Sequence, residues 1–300
     1  MDAVNRLVAI ALVCAAGCQG LDDSDARWMS MDELTGMYAP EVGTGTHRAL
    51  VADDSLRVVT FNIRDGGADP AEIAAAFRAN EHLATADVVM LQEAVFYPEE
   101  TSTRISRLAR ELDMGWIYAP ARPDKAGTLG DAIISRYPLT DFAVMHLPIA
   151  PRKRQRIAVA ATVSIGTQDI RLVTTHLDTS LNITDRVLQL RPAVIDLPEV
   201  ALVGGDYNTN PYAWQEGEVP LVGTSQIVDT DQAPALDDYM SSIGFANPTA
   251  ELGNTEVRYG IESRLDAVFV RGVAYGDRGV ERSVMLSDHW PVWVDIKTQP

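Results

Sequence analysis

Cysteine is almost absent from this chain, and the position of the few cysteines excludes a disulfide-stabilised fold. The 300 residues contain two cysteines, Cys14 and Cys18, and both lie near the N-terminus. The remainder of the chain therefore has neither a disulfide nor a free thiol. Stability has to come from the burial of apolar side chains, and about 245 residues of globular chain are enough for such a core.

Long apolar runs are also missing. The stretch from Leu7 to Ala16 is too short to span a bilayer as a helix, and Arg6 before it is typical of a signal peptide. It ends in Ala15-Ala16-Gly17-Cys18, which resembles a bacterial lipoprotein signal. We therefore expect residues 1–17 to be a signal peptide and Cys18 to be lipidated, which would anchor the protein in the cell envelope. A plain secretory signal or an uncleaved anchor is the alternative.

Positive charge is scarce. Lysine and arginine number 25 against 42 aspartate and glutamate residues, so the formal net charge is −17. Such a chain repels polyanions, which disfavours tight non-specific binding to duplex DNA. A small phosphoester whose charge is met by a bound cation stays compatible with this surface. The basic run 152–156 is either a solvated loop or places Arg154 or Arg156 inward, against a phosphate or an acidic substrate group.

The chain divides into a leader, a polar segment and one large domain. Residues 18–55 are rich in Asp, Gly, Thr and Ser without a sustained period, which indicates a tether and N-terminal extension with a short helix near Met31–Met37. From residue 56 onward, short apolar runs alternate with helical patterns. Residues 56–300 are therefore predicted to form one α/β domain, a sandwich of two packed mixed β-sheets flanked by helices.

Individual elements follow from apolar periodicity and capping residues. One helix is predicted from Pro70, with Asp69 as its N-cap, and others at 101–112, at 184–190 with Pro192 as the limit, and at 235–243 inside the loop-rich segment 211–261. Strands are predicted at 56–63, 87–91, 115–118, 132–135, 142–146, 157–165, 170–175, 200–203, 266–270, 280–285 and 292–296.

Polar clusters follow the apolar runs at five places, and a sixth cluster opens one. Buried strands that repeatedly end in carboxylate, amide or imidazole groups place those groups along one edge of a sheet. That edge then has the composition of a hard-cation site beside a general base. The clusters are Asn62, Gln92-Glu93, Thr175-His176, Gly205-Asp206-Tyr207-Asn208, Ser287-Asp288-His289 and Arg264-Leu265-Asp266.

A cation site is indicated by Glu93 together with Asn62 and Asp288. Mg²⁺ favours one or two carboxylates plus waters and substrate oxygens, and these three residues would suit it if their strands are neighbours. Taken alone, Glu93 is equally a strand-terminal charge that turns into solvent. The occurrence of all three groups in one pattern is what favours the metal site.

The remaining polar clusters suggest acid–base and phosphate-handling groups. His289 can act as a base near neutral pH if a carboxylate fixes its tautomer, and Asp266 is the best partner for it. The segment 204–208 is either a turn, or Asp206 orients or deprotonates a water while Asn208 donates to a phosphoryl oxygen. His176 is either a satisfied core histidine or a contact of the scissile phosphate.

These residues, in this order, resemble the endonuclease/exonuclease/phosphatase superfamily, whose fold is DNase I-like. The resemblance spans residues ~56–297, the length of one large domain. Any one motif is weak, and the ordered set is specific. The matching motifs are Thr60-Phe61-Asn62-Ile63, Leu91-Gln92-Glu93, Gly130-Asp131-Ala132-Ile133-Ile134-Ser135-Arg136-Tyr137-Pro138, Thr175-His176-Leu177-Asp178, Gly205-Asp206-Tyr207-Asn208, Arg264-Leu265-Asp266 and Ser287-Asp288-His289-Trp290-Pro291.

The resemblance implies a four-layer α/β sandwich and Mg²⁺- or Mn²⁺-dependent hydrolysis of phosphoesters. It makes Glu93 the principal metal ligand, with Asn62 and Asp288 contributing. It also makes His289, paired to Asp266, the base, and it assigns the nucleophile and the phosphate to Asp206, Asn208 and His176. Tyr207 and Ala267 depart from the commoner residues at their positions. The segment 211–261 matches no member of the family, so the choice of substrate stays open.

The sequence therefore predicts a metal-dependent phosphoester hydrolase, tethered to a membrane through its N-terminal lipid. The acidic surface favours a phospholipid head group, a nucleotide or a sugar phosphate as substrate, and DNA is the main alternative. A different class of function is a catalytically silent envelope lipoprotein that uses the fold for binding. Such a protein usually loses the metal carboxylate or the base, whereas both residue types are present here.

Overall fold

A computed structural model describes residues 21–46, 55–125, 127–150, 152–215, 217–221, 227–258 and 261–297. The predicted signal peptide and the predicted lipidation residue Cys18 lie outside these ranges. Within them, no helix combines the length and the apolar character needed to cross a bilayer.

Fifteen strands and four α-helices make up the described fold. The helices are α1 (Pro70–Ala79), α2 (Arg104–Glu111), α3 (Ile183–Val194) and α4 (Gln232–Ser242). The strands are β1 (Trp28–Ser30), β2 (Glu41–Gly43), β3 (Ser55–Asn62), β4 (Val88–Phe96), β5 (Gly115–Asp124), β6 (Gly127–Ser135), β7 (Leu139–His146), β8 (Ile157–Ile165), β9 (Gln168–His176), β10 (Ala201–Asp206), β11 (Glu256–Arg258), β12 (Ile261–Ser263), β13 (Asp266–Arg271), β14 (Ala274–Val280) and β15 (Val292–Lys297).

Two large mixed sheets pack face to face. The first has seven strands in the order β14-β15-β3-β4-β6-β5-β2, and the second has six in the order β1-β7-β8-β9-β10-β13. Because side chains alternate along a strand, each sheet buries one face against the other sheet and one against helices. Val58 and Met90 of the first sheet thus share a core with Val159 and Leu172 of the second.

The outer faces are covered by the helices. Val59 and Phe61 of β3 pack with Phe77 of α1 and Leu108 of α2. On the other side, α3 and α4 contribute Leu190, Leu236 and Met240 to a third cluster on the second sheet. The predicted four-layer α/β sandwich is confirmed, with the order helices, sheet, sheet, helices.

The interpretation of residues 18–55 as a tether is corrected for part of its length. Trp28–Ser30 pairs antiparallel with β7, and Glu41–Gly43 pairs antiparallel with β5. Each sheet therefore gains an edge strand from this segment. Strands of three residues bind through backbone hydrogen bonds and leave no detectable period in the sequence. The short helix expected near Met31–Met37 is two 3₁₀ turns, Met31–Glu33 and Gly36–Tyr38.

Three other elements differ from prediction. The strand expected at 280–285 is instead Ala274–Val280, a mostly exposed edge strand whose polar sequence hides it. Helix α3 continues through Pro192 to Val194. The proline removes only its own N–H, and the turn after it still closes, because Ile195 N donates to Arg191 O at 3.0 Å. Finally, the segment 211–261 adds Glu256–Arg258, which pairs with Ile261–Ser263 in a small hairpin.

A fully buried arginine fixes the two chain segments that leave the second sheet toward the predicted site. Arg186 of α3 has no solvent exposure. Its Nη1 donates to Asp178 O at 2.7 Å and to Tyr207 O at 2.9 Å, and its Nη2 donates to Leu181 O at 2.6 Å. Burial lowers its pKa to about 9. The loops that follow β9 and β10 are thus held to one guanidinium.

Replacing this guanidinium should destabilise the protein strongly. Arg186→Met leaves the three carbonyls without donors, so we expect the free energy of unfolding to fall by about 3 kcal/mol or more. Urea denaturation followed by circular dichroism measures the change. Arg191→Met on the same helix, where the side chain is 52% exposed, should change stability by less than about 0.5 kcal/mol. Equal stability of the two variants would contradict this role of Arg186.

Candidate active site

The predicted polar groups meet where both sheets end. Strands β3 and β4 run parallel and place Asn62 beside Gln92. In the second sheet, β9 and β10 run parallel and place His176 beside Asp206, and antiparallel β13 places Asp266 on the other side of Asp206. Since these strands end at a common edge, residues more than two hundred positions apart become neighbours.

His289 and Asp266 form the predicted pair. The His289 Nδ1 lies 2.8 Å from Asp266 Oδ2, and both side chains are buried. The hydroxyl of Thr255 donates to the same Oδ2 at 2.7 Å. Burial alone would lower the pKa of His289, but the carboxylates of Asp266 and Asp206 outweigh it and raise the pKa to about 10. The ring is therefore protonated at neutral pH in the absence of other ligands.

Asp206 lies at the centre of the cluster. Its Oδ2 accepts from Asn62 Nδ2 at 2.9 Å and lies 3.4 Å from His176 Nε2 and 3.7 Å from His289 Nε2. Its Oδ1 accepts from the backbone N–H of Asn208 at 2.9 Å. Burial raises the pKa of this carboxyl, while the charge of His289 and the bond from Asn62 lower it.

Glu93 reaches the cluster through an irregularity in its strand. Strand β4 continues to Phe96, and its pairing with β6 shifts register between Leu91 and Ala94. At this bulge Glu93 takes a φ of 57°, a conformation that is rare for residues with a side chain. Its Oε1 accepts from Asn62 Nδ2 at 3.3 Å and its Oε2 from Asp65 N at 2.8 Å. The solvent-directed alternative for Glu93 is therefore wrong.

Burial and neighbouring negative charges destabilise the ionised form of the Glu93 carboxylate. Burial raises its pKa, and the carboxylates of Asp65 and Asp206 raise it further. The side chain is still 24% exposed, so it faces an opening rather than a closed core. Buried carboxylates that repel one another at an opening favour a bound cation.

Among the three predicted metal ligands, Asn62 and Glu93 contact each other directly. Asp288 lies 3.6 Å from Arg64 Nε through its Oδ2, and its charge contributes to the raised pKa of His289. A different group, Asp206, Asp266 and His289, has ligand atoms within 4.8 Å of one another. Because the Nδ1 of His289 is already bonded to Asp266, that group is better suited to proton transfer than to metal binding. The carboxylate oxygens of Glu93 are hard donors that suit Mg²⁺ or Mn²⁺. Asn62 turns its Nδ2 toward Glu93, and its Oδ1, the atom that could bind a cation, accepts from Arg64 N at 2.9 Å.

His176 is not a satisfied core histidine. It is 4% exposed and lies between Asp206 and Glu93, with its Nδ1 3.9 Å from Glu93 Oε1. That Nδ1 has no hydrogen-bond partner among the described residues. Burial and the nearby charge of Arg156 lower the pKa of the ring, so it is neutral. A neutral imidazole with a free nitrogen is suited to a ligand at this position.

Asn208 positions Asp206, and its expected contact with a phosphoryl oxygen stays a prediction. Its φ of 51° and its backbone N–H hold Asp206 in place, and its Nδ2 donates to Leu177 O at 2.9 Å. One of the two N–H groups of the side-chain amide is therefore bonded to the backbone. Of the two arginines predicted as possible inward-facing residues of the basic run, Arg156 is buried and Arg154 is exposed.

Three buried or partly buried side chains around the site were not assigned from the sequence. Thr255 lies in the loop-rich segment, where no period marks it. Asp131 lies in one of the matching motifs without an assigned role, and Arg122 lies in none of them. Burial raises the pKa of Asp131 to about 8 even though Arg156 and Arg122 act to lower it. A charged residue inside the apolar strand 127–135 was the available signal for Asp131.

Comparison with known proteins agrees with this geometry. The sequence profile described as the Endonuclease/Exonuclease/phosphatase family matches residues 59–289. The chain belongs to this family. Members of the family are hydrolases that act on phosphoester bonds, and they typically depend on divalent metal ions. A comparison with curated proteins finds no match.

Solved structures of family members share the fold. An endonuclease/exonuclease/phosphatase from Beutenbergia cavernae is 22% identical with a TM-score of 0.61, over 82% of this chain and 72% of that one. A family protein from Leptotrichia buccalis is 15% identical with a TM-score of 0.60, over 81% of this chain and 100% of that one. D. rerio TDP2 complexed with single-strand DNA product is 18% identical with a TM-score of 0.57, over 82% and 100%.

The His289–Asp266 pair gives a direct test of the site's electrostatics. Asp266→Asn keeps the shape of the side chain but removes the main charge that raises the pKa of His289. We expect that pKa to fall from about 10 to below about 8. An NMR titration of the His289 ring in chelator-treated protein measures it, with His82, which pairs with Glu281, as the internal control. An unchanged His289 titration would show that Asp266 is not its charge partner.

Proposed function

We propose that this protein is a divalent-metal-dependent phosphoester hydrolase in which a water attacks phosphorus in line with the leaving oxygen. The observation that carries the proposal is the position of Asn62, whose one amide group contacts both Glu93 and Asp206. A cation site and an acid–base site are thereby joined through a single side chain. The His289–Asp266 pair lies on the far side of Asp206, within reach of the same reacting group.

The metal would be Mg²⁺ or Mn²⁺, held by Glu93 and Asn62 with Asp288 contributing. It would supply neutralisation of the charge that develops on the phosphoryl and leaving oxygens. The residues themselves bind and orient the ester. His176, neutral and with a free nitrogen, contacts a phosphoryl oxygen, and Asn208 keeps Asp206 aimed at the water.

The roles of His289 and Asp206 follow from their protonation states. The sequence suggested His289 as the base, with Asp206 assisting. Because neighbouring carboxylates raise the pKa of His289 to about 10, its ring is a proton donor at neutral pH. We therefore assign removal of the water's proton to Asp206, whose pKa is raised by burial. His289 donates through Nε2 to a phosphoryl oxygen.

The substrate is most consistent with a small phosphoester, such as a nucleotide, a sugar phosphate or a lipid head group. The net charge of −17 weakens long-range attraction to a polyanion. The likeness to TDP2 bound to a DNA product keeps nucleic acid as the second class. A panel of plasmid DNA, sphingomyelin, inositol phosphates and bis-p-nitrophenyl phosphate, with and without Mg²⁺, separates these classes.

We further propose that the enzyme resides in the cell envelope, held by a lipid on Cys18. The support is the sequence itself, with Arg6 before an apolar stretch that ends in Gly17-Cys18. Metabolic labelling with a fatty acid tests this, since Cys18→Ser should abolish the label.

Loss of the metal carboxylate should abolish hydrolysis while leaving the fold intact. Glu93→Gln is expected to lower kcat for bis-p-nitrophenyl phosphate by about 10³-fold or more, because the cation loses its charged ligand. Thermal unfolding without added metal should change little. Glu72→Gln, at an exposed carboxylate of α1, serves as the control. Near-normal turnover by the Glu93 variant would refute the assignment.

The pH dependence separates the two possible roles of His289. If the protonated ring is the active form, log kcat/KM does not rise between about pH 7 and 9, because loss of the ring's proton can only remove activity. A neutral His289 acting as base would instead give a rise of about one log unit per pH unit over that range. The profile is recorded in Mg²⁺ with bis-p-nitrophenyl phosphate, and a slope near one would reverse our assignment of Asp206.

A further inference from the structure

Exposed apolar side chains gather in two loops at one end of the second sheet. Nine large apolar side chains are exposed in the described ranges, and four of them lie in these loops. Single apolar residues on a surface are ordinary, whereas a group on neighbouring loops marks a place of interaction. We call this group the apolar rim, and it consists of Ile149, Tyr212, Val228 and the fully exposed Leu221.

The two loops that carry the apolar rim contact each other. Lys153 N donates to Ala150 O at 3.0 Å, which closes the turn after Ile149. The Lys153 side chain lies against Gly217 of the other loop, where an added Cβ would collide with its Nζ. The same Nζ donates to Ser180 Oγ at 2.6 Å. The two loops therefore form one surface.

The backbone beneath part of the rim is fixed by specific contacts. Tyr212 pairs with Val228 in an isolated antiparallel bridge. Trp214 packs edge-on against Tyr212, with 5.9 Å between the ring centroids, and its Nε1 donates to Asn210 Oδ1 at 2.8 Å. Groups that are already held in place lose little conformational entropy when a partner covers them. This part of the rim is therefore preformed for binding.

The rim borders the candidate active site. Asn210, which holds Trp214, also donates through Nδ2 to Asn208 O at 3.0 Å and to Thr179 O at 2.7 Å. The backbone N–H of Asn208 in turn holds Asp206. A body that covers the rim would therefore lie at the same edge of the sandwich as the reacting groups.

The charge of this surface differs from that of the whole protein. The segments 149–154 and 212–221 together hold three positive and two negative residues, whereas the chain carries a net charge of −17. Arg152 and Arg154 are both exposed. Long basic side chains lay an apolar stem along apolar surface and keep the charge in water, and tyrosine and tryptophan favour the region where lipid head groups meet acyl chains. The composition therefore matches the surface of a phospholipid bilayer.

The N-terminal chain leads to the same side of the domain. Asp23 Oδ2 lies 3.7 Å from Arg191 Nη1 on α3. That helix begins at Ile183, close to the Ser180 that contacts Lys153, and its eight residues up to Arg191 span about 12 Å. Cys18 precedes Asp23 by five residues, a reach of about 18 Å at most. A lipid on Cys18, as proposed above, would therefore hold the rim near the bilayer.

A protein partner fits the rim less well than a bilayer does. A stable interface buries about 800 Å² on each partner, which is more than four side chains on two loops provide. A bilayer has no fixed shape to match, so a small protruding group of apolar side chains is enough to enter it. This comparison disfavours a second copy of the chain as the occupant.

We propose that the apolar rim docks on the surface of a phospholipid bilayer, with Leu221 and Ile149 entering below the level of the head groups. The inference goes beyond the proposed function, since it assigns a membrane-binding surface and not a reaction. Docking would turn the edge that carries the site toward the lipid head groups. The basic run 152–154 would then lie among the phosphates of those head groups.

The first experiment locates the rim relative to the bilayer. The full chain with Cys14→Ser and Cys18→Ser is given one cysteine, by Leu221→Cys or Ile149→Cys, and labelled with a polarity-sensitive fluorophore. Val42→Cys, at an exposed residue of the edge strand β2, is the matched control. Vesicles of mixed phosphatidylcholine and phosphatidylglycerol should shift the emission of the two rim labels to shorter wavelength, and spin-labelled lipid should quench them. The label at position 42 should not respond.

Two outcomes of this experiment overturn the proposal. One is the same response at positions 221 and 42, which includes no response at either. The other is a shift of the rim labels that appears without vesicles and grows with protein concentration, since this places a second copy on the rim. Lipidation of Cys18 does not enter the result, because the labelled chains lack that cysteine.

The second experiment needs no label and tests a single side chain. Amide hydrogen exchange of the full chain is followed by mass spectrometry with and without the same vesicles, for the wild type, Leu221→Ser and Val42→Ser. We expect vesicles to slow exchange at residues 212–214 in the wild type and in Val42→Ser. Leu221→Ser should reduce this protection about tenfold, because burial of one leucine side chain is lost. Equal protection in the two variants would contradict docking through the rim.

Folding and turnover serve as checks on Leu221→Ser. Because Leu221 is fully exposed, its substitution should leave Tm unchanged. Hydrolysis of bis-p-nitrophenyl phosphate in solution should also be unchanged, since this ester does not need a membrane. A failure of hydrolysis in every form of the protein would count against the proposed function and leave the docking surface in place.

Discussion

The hydrogen bond from Asn62 Nδ2 to Asp206 Oδ2 joins the two sheets at the edge where the site forms. At 2.9 Å it links the end of β3 in the first sheet to the end of β10 in the second. Elsewhere the sheets are held together mainly by apolar contacts, which have no directional preference, with one further buried bond from Gln92 Nε2 to Thr174 Oγ1 at 2.9 Å. A polar bond between strand ends is directional, so it sets how the two halves of the site face each other.

The apolar periodicity of the sequence was sufficient to predict most of the fold. Helix α1 begins where Asp69 and Pro70 indicated, and its Asp69 accepts from Ala71 N. Strand β8 has the predicted bounds, Ile157–Ile165. These elements are long or capped, so local chemistry defines them. The edge strands Trp28–Ser30 and Ala274–Val280 are defined by the partner they pair with, which a single sequence does not reveal.

The candidate site likewise contains residues that the sequence could locate and residues that it could not. His289, Asp266, Asp206 and Asn62 could be located because each lies where an apolar strand begins or ends. The bulge that turns Glu93 inward could not be located, because it depends on the register between β4 and β6. The roles of Arg186 and Thr255 could not be predicted for a related reason. Each acts by donating to groups outside its own secondary-structure element, and neither is marked by the residues beside it.

The position of β1 sets how far the domain would reach from a lipid on Cys18, the anchor proposed above. Trp28 pairs with β7 at the edge of the second sheet, so at most ten residues connect Cys18 to the fold. Ten residues of extended chain reach about 35 Å at most, roughly one protein diameter. The cleft would then sample only the layer of solvent next to the bilayer, and substrates would be drawn from molecules at or near that surface.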